Sequence, residues 1–198
     1  MRRIKSERRD TMTEGTLNGH RVLVLVTNYG VEQDELLVPV ERLREEGAEV
    51  TVAASRPEPI RTLVSDKDPG RTVQPDTTVD AVDPGDHQLL LLPGGTLNAD
   101  QLRLDDSAMS LVKAFASSGR PIAAICHGPW ALVEADVVRG KTLTSYPSLS
   151  TDIRNAGAAS WVDEPVVTDS EGYPLVTSRT PKDLDDFLGA VGRALVGS

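Results

Sequence analysis

The stretch Ala123-Ala124-Ile125-Cys126-His127-Gly128-Pro129 decides the fold. Pro121 to Ile125 (PIAAI) reads as a buried strand, and a helix is predicted from His127 to Val138, punctuated by Gly140. A strand that runs into a helix, with one reactive side chain at the junction, is the nucleophile-elbow pattern of open α/β sheets. Gly128 lets the backbone turn closely there. A helix start also supplies positive potential and unpaired N–H groups, which favour the thiolate, the nucleophilic form of cysteine.

Upstream, Gln88 to Leu92 is apolar after its first residue and stops at Pro93-Gly94-Gly95, which predicts a second buried strand ended by a glycine turn. If the two strands are parallel neighbours, Gly94 and Gly95 sit beside Cys126 and their N–H groups can face a developing oxyanion. Nearer the start, Arg21 to Val26 is an apolar run followed by Asn28-Tyr29-Gly30. A helix is predicted over 31–46 from Leu36, Leu37, Val40 and Leu43, and Ala48 to Ala54 reads as a strand. This is a βαβ unit. Glu32 and Glu35, three apart at that helix start, share a face. All three loops follow strand carboxyl ends, where open α/β sheets bind ligands.

The rest of the chain extends the alternation. Residues 55–86 carry prolines, glycines and aspartates without clear period and are expected to be loops, with a short strand near Thr72 and Val73. A helix over 107–118, strands over 142–144, 161–168 and 174–177, and a closing helix from Pro181 to Val196 follow. The fold class is therefore α/β: a flavodoxin-like, doubly wound, mostly parallel sheet sandwiched by helices. Residues 20–198 are expected to form one domain. Residues 1–19 read as a disordered basic leader, with five basic residues among the first twelve and Met12 as an alternative start.

Composition narrows the function. A net charge of −9 argues against a nucleic-acid surface, which needs clustered Lys and Arg. No apolar run approaches the ~20 residues of a membrane span, and no secretory signal core opens the chain, so a cytoplasmic protein is expected. A single cysteine and three scattered histidines offer no zinc spacing. Gly140-Lys141-Thr142 looks like the end of a phosphate loop, but Ala135 stands where that motif needs glycine.

Pro-Gly-Gly after one apolar strand and Ala-Ile-Cys-His-Gly-Pro after another resemble the ThiJ/PfpI family, part of the class I glutamine-amidotransferase-like superfamily. The similarity continues through Gly30-Val31-Glu32-Gln33-Asp34-Glu35-Leu36, Val137–Ser145, Asp152–Gly157, Trp161–Glu164 and Val176–Arg179. The resemblance implies that Cys126 is the nucleophile with His127 beside it. It makes Glu35 a buried glutamate against the cysteine, with Glu32 next to it, and Gly94 and Gly95 the oxyanion turn. Asp100 is the nearest match to an acid that reaches a neighbouring subunit's site in the PfpI branch. No cofactor is implied, and a homo-oligomer is. The activities implied are deglycase or glyoxalase III-like action on glyoxal and methylglyoxal adducts. A PfpI-type cysteine peptidase acting on peptides and a non-enzymatic redox sensor or chaperone built on an oxidisable Cys126 are the alternatives. A glutaminase is discounted, because no histidine follows His127. Trp130 and Tyr146 are candidate walls of the pocket mouth.

Overall fold

Apolar strands with two buried faces build the centre of the protein. In β1 (Arg21–Val26), Val22, Val24 and Val26 join one half of the core and Leu23 and Leu25 the other. A strand that buries both faces reads as a continuous apolar run for this reason. The computed structural model describes residues 16–197. The expected leader lies outside the described residues as far as residue 15. Its last part does not: Leu17 is fully buried and its N–H donates to the Glu46 carbonyl, so the packed chain starts before His20.

After β1 the chain forms β2 (Tyr29–Glu32), α1 (Gln33–Glu45), β3 (Glu49–Ala54), β4 (Ile60–Val64), β5 (Asp68–Val73) and β6 (Thr77–Thr78). Next come β7 (Leu89–Leu92), α2 (Thr96–Leu102), α3 (Asp106–Ser117), β8 (Ile122–Ile125), α4 (Pro129–Glu134) and β9 (Thr142–Leu143). The chain closes with α5 (Ser150–Asn155), β10 (Ser160–Trp161), β11 (Val166–Asp169), β12 (Leu175–Ser178) and α6 (Leu184–Val196). The main sheet has the order β11-β12-β8-β7-β1-β3-β6. Its pairings are parallel except β11 with β12.

The consecutive long parallel strands β1, β3, β7, β8 and β12 thus lie in the spatial order β3-β1-β7-β8-β12, the flavodoxin-like winding expected from the sequence. Helices α1 and α6 cover one face through Leu36, Val40, Leu43, Phe187 and Val191. The other face is covered mainly by α3, α4 and α5, through Val112, Phe115, Leu132 and Ile153. The strand order reverses between β1 and β7, so the loops after β1, β7 and β8 meet at one end of the sheet.

Several elements differ from the sequence expectation. Residues 55–86 hold an antiparallel hairpin, β4 with β5, and β2 joins it to make a separate three-stranded sheet. Its strand β5 begins Asp-Pro-Gly and has no buried residue, so it carries no apolar alternation; proline is tolerated on such an edge. Helices α2 and α5 are seven and six residues long, too short to show a helical period. The single strand expected over 161–168 is two, broken ahead of Pro165: β10 pairs with β9 and β11 with β12. The helix expected over 127–138 is the shorter α4, ended by Asp136 in the left-handed region (φ 55°).

Candidate active site

Cys126 directly follows β8, and its backbone has a positive φ of 61°. A non-glycine residue there is strained and persists only when its surroundings hold it. They do: the Cys126 N–H donates to the Ser178 carbonyl at 3.0 Å and the Cys126 carbonyl accepts from Tyr146 N–H at 2.8 Å. Next to it, a Cβ on Gly128 would lie 2.3 Å from the Leu92 carbonyl oxygen, so the elbow needs glycine because β7 runs so close.

Glu35 projects from the first turn of α1 into the junction of all three loops and is fully buried. Its Oε2 accepts the Gly94 N–H at 2.7 Å, while Oε1 is buried without a conventional hydrogen-bond partner. The carboxyl also interacts with the Cys126 side chain. Burial pushes Glu35 well above the usual carboxylate range, against the lowering effect of Gly94 and Cys126, and the nearby Glu32 and Asp66 charges add to the rise. Burial thus favours the neutral, protonated form of Glu35. Oε2 is its acceptor oxygen, and Oε1 is the one placed to hold the proton.

The Cys126 thiol is only 6% exposed, and burial pushes it up; a charge on Glu35 pushes it further, so the two groups do not ionise together. This reverses the expectation of a thiol lowered by a helix start. The reason is geometric: α4 begins only at Pro129 and has six residues, whereas the burial is immediate. Cys126 must hand its proton to a neighbour to become a nucleophile. The His127 ring lies beside it, with Nδ1 at 3.2 Å from Sγ. Burial lowers His127, with Asp66 partly opposing, so the ring is neutral and can accept. The ring stacks on Tyr146 at 4.7 Å between centroids and lies 5.3 Å from Trp130. Both aromatic residues singled out in the sequence thus wall the site.

The other expected residues fare differently. Gly94 is in place, and a Cβ there would come within 2.6 Å of Glu35 Oε2 and 2.9 Å of Cys126 Cβ. It is not the oxyanion donor expected of it, however, because its N–H is committed to Glu35. Gly95, the N-cap residue of α2, carries the other backbone N–H of this turn. Glu32 does not touch the sulfur. Its Oε1 and Oε2 accept the backbone N–H groups of Ser65 and Asp66, each at 3.1 Å. Asp100 is exposed on α2 and forms no ion pair among the described residues.

Asp66 and Thr96 were not anticipated. Asp66 accepts from the Thr96 N–H at 2.7 Å and from its hydroxyl at 2.8 Å, and Thr96 Oγ1 lies 3.4 Å from His127 Nε2. Thr96 had a readable signal, a hydroxyl directly after the glycine turn. Asp66 had none, since its position depends on the unanticipated β4–β5 hairpin. Among the described residues no cluster of His, Cys, Asp and Glu is suited to a metal ion.

Comparison with known proteins identifies the family. The family model for the DJ-1/PfpI family matches residues 20–194. The chain belongs to the DJ-1/PfpI family. It is 42% identical over 164 residues to a deglycase of Pyrococcus horikoshii, covering 83% of this chain and 92% of that protein. It is 38% identical over 167 residues to protein/nucleic acid deglycase 2 of Escherichia coli, covering 84% and 92%. Among solved structures, Drosophila melanogaster DJ-1beta superposes with a TM-score of 0.79 at 30% identity, covering 90% of this chain and 91% of that one. No helix among the described residues of this DJ-1/PfpI protein is long and apolar enough to cross a membrane.

Proposed function

We propose that this protein is a cysteine-dependent enzyme that acts on glyoxal and methylglyoxal or on their adducts, as a deglycase or a glyoxalase III-like hydrolase. The observation that carries the reading is the pinned, strained Cys126 with the His127 ring nitrogen 3.2 Å from its sulfur and the fully buried Glu35 carboxyl beside it. The deglycase names of its relatives support the substrate class. The 6% exposure of Cys126 suits a small carbonyl compound better than a folded peptide chain.

In the reaction with methylglyoxal, the Cys126 proton moves to His127 Nδ1 and the sulfur attacks the aldehyde carbon. One S–C bond forms, the carbonyl π pair moves to oxygen, and that oxygen is met by the Gly95 N–H and by the Glu35 proton. A proton then leaves the former aldehyde carbon and returns at the ketone carbon, while the hydroxyl proton passes from the former aldehyde oxygen to the former ketone oxygen, giving a lactoyl thioester. One carbon is oxidised and its neighbour reduced, so no external oxidant or cofactor takes part. Water cleaves the thioester to lactate and restores the thiol. Asp100 and a homo-oligomer belong to the same reading, as the acid offered to a neighbouring copy's site.

The test is lactate release from methylglyoxal by the purified protein beside Cys126→Ala, with buffer controls for spontaneous adduct reversal. Lactate formation that depends on Cys126 is the expected result. Equal rates in the two proteins would overturn the proposal.

A further inference from the structure

Asp66 and Thr96 lie outside the residues that react, yet they hold a defined contact to His127. Ser65 and Asp66 both sit in the left-handed region at φ 56°, two consecutive non-glycine residues in a conformation that costs energy. Both carboxylate oxygens of Glu32 hold their backbone N–H groups. That clamp turns the Asp66 carboxylate onto Thr96, where it accepts from backbone and hydroxyl together.

The hydrogen bonds can be followed proton by proton. Thr96 Oγ1 carries one proton and directs it to Asp66 Oδ2 at 2.8 Å. Toward His127 the Thr96 oxygen is then an acceptor, and its partner at 3.4 Å is Nε2. A neutral imidazole has a single N–H, so a proton at Nε2 leaves Nδ1 as a lone pair, and Nδ1 is the atom 3.2 Å from Cys126 Sγ.

We propose that Asp66, acting through the Thr96 hydroxyl, is a positioning residue that holds His127 as the Nε2–H tautomer and so makes Nδ1 the proton acceptor for Cys126. This rests on the cysteine-dependent reading above and adds an orienting group to it, in the manner of the third member of a hydrolase triad. Glu32 belongs to the same device, one step further out. Other groups of the same chain facing the ring or the sulfur beside it are the Cys126 thiol, Tyr146, Trp130 and, beyond the sulfur, Glu35; among the described residues none of them faces Nε2 as a hydrogen-bond acceptor.

The experiment is nitrogen NMR of the histidine-labelled protein, with Asp66→Asn, Thr96→Val and Thr96→Ser, alongside kcat and KM for methylglyoxal. In the unaltered protein the His127 signal is expected to report a proton on Nε2. Thr96→Val and Asp66→Asn lose that preference, and Asp66→Asn also moves the His127 titration midpoint downward, because the Asp66 charge raises it. Their kcat falls about 100-fold with KM little changed, the low end of what a positioned general base contributes. Thr96→Ser keeps the hydroxyl and restores the tautomer. If Asp66→Asn does not fold, the two Thr96 variants decide the matter. An unchanged His127 signal in folded Thr96→Val and Asp66→Asn overturns the proposal. The NMR readout needs no turnover, so absence of methylglyoxal activity in the unaltered protein would sink the substrate reading while the tautomer is still decided.

Discussion

At the scale of single residues, the site is a balance of burial against proton sharing. Glu35 shows it most directly, because a fully buried carboxyl is tolerated only while neutral or compensated. Between the ordinary value of 4.5 and its raised folded value, the native protein keeps a proton that the unfolded chain has released. Stability therefore falls as pH rises through that window. Glu35→Gln has no such proton to keep, and its amide oxygen can still accept the Gly94 N–H. Urea unfolding midpoints should favour Glu35→Gln increasingly as pH rises above 4.5, and a difference independent of pH would show that Glu35 ionises like an exposed carboxylate. Cys126 was legible from the elbow itself, whereas Glu35 and His127 were singled out with the help of the family resemblance, since position alone left Glu32 an equal candidate. The charge state of the thiol was not legible, since burial depends on everything packed above it.

At the scale of elements, Lys141 shows how a misleading motif resolves into structure. The Gly140-Lys141-Thr142 string cradles no phosphate. The Lys141 ammonium is nearly buried, paired with Asp169 at 3.1 Å and donating to the carbonyls of Glu171 and of Tyr173, the latter at 2.6 Å. It ties the start of β9 to the turn of the β11–β12 hairpin, while Thr142 N–H bonds the second Asp169 oxygen. Burial alone would raise Asp169, but the Thr142 and Glu171 N–H groups and Lys141 outweigh it, and its carboxyl lies below the usual range. Removing the lysine leaves a carboxylate and two carbonyls without their donor. Lys141→Ala should cost about 3–5 kcal/mol in chemical denaturation, the range for breaking a buried pair from one side. A depressed carboxyl contributes stability above its unfolded value and loses it as pH falls, so the gap between the proteins should narrow below the ordinary Asp value of 3.8. A loss under 1 kcal/mol at neutral pH would mean that water replaces the ammonium. The long apolar strands of the main sheet were readable as apolar runs, whereas of the small hairpin only the end of β5, near Thr72 and Val73, was expected. A hairpin with an exposed, proline-bearing edge is specified by its partner strand rather than by its own pattern.

At the scale of the whole molecule, the site is assembled from two units of unequal burial. Cys126 and the Gly94–Gly95 turn hang from β7 and β8, whose residues are fully buried. Asp66 hangs from the small sheet of β2, β4 and β5, whose β5 has no buried residue. Local opening follows burial and contact density, so the small sheet should open at lower free energy than the main sheet. Hydrogen exchange should then show the amides of β4 and β5 exchanging well before those of β1, β7 and β8. Under rising urea, the link from Asp66 to His127 should be lost before global unfolding. The nucleophile would still sit on its elbow in that partly opened form, but its base would no longer be held in one tautomer. Inactivation should therefore precede loss of far-UV circular dichroism. Coincident transitions would instead mean that the clamp of Glu32 on Ser65 and Asp66 makes the small sheet one cooperative unit with the core.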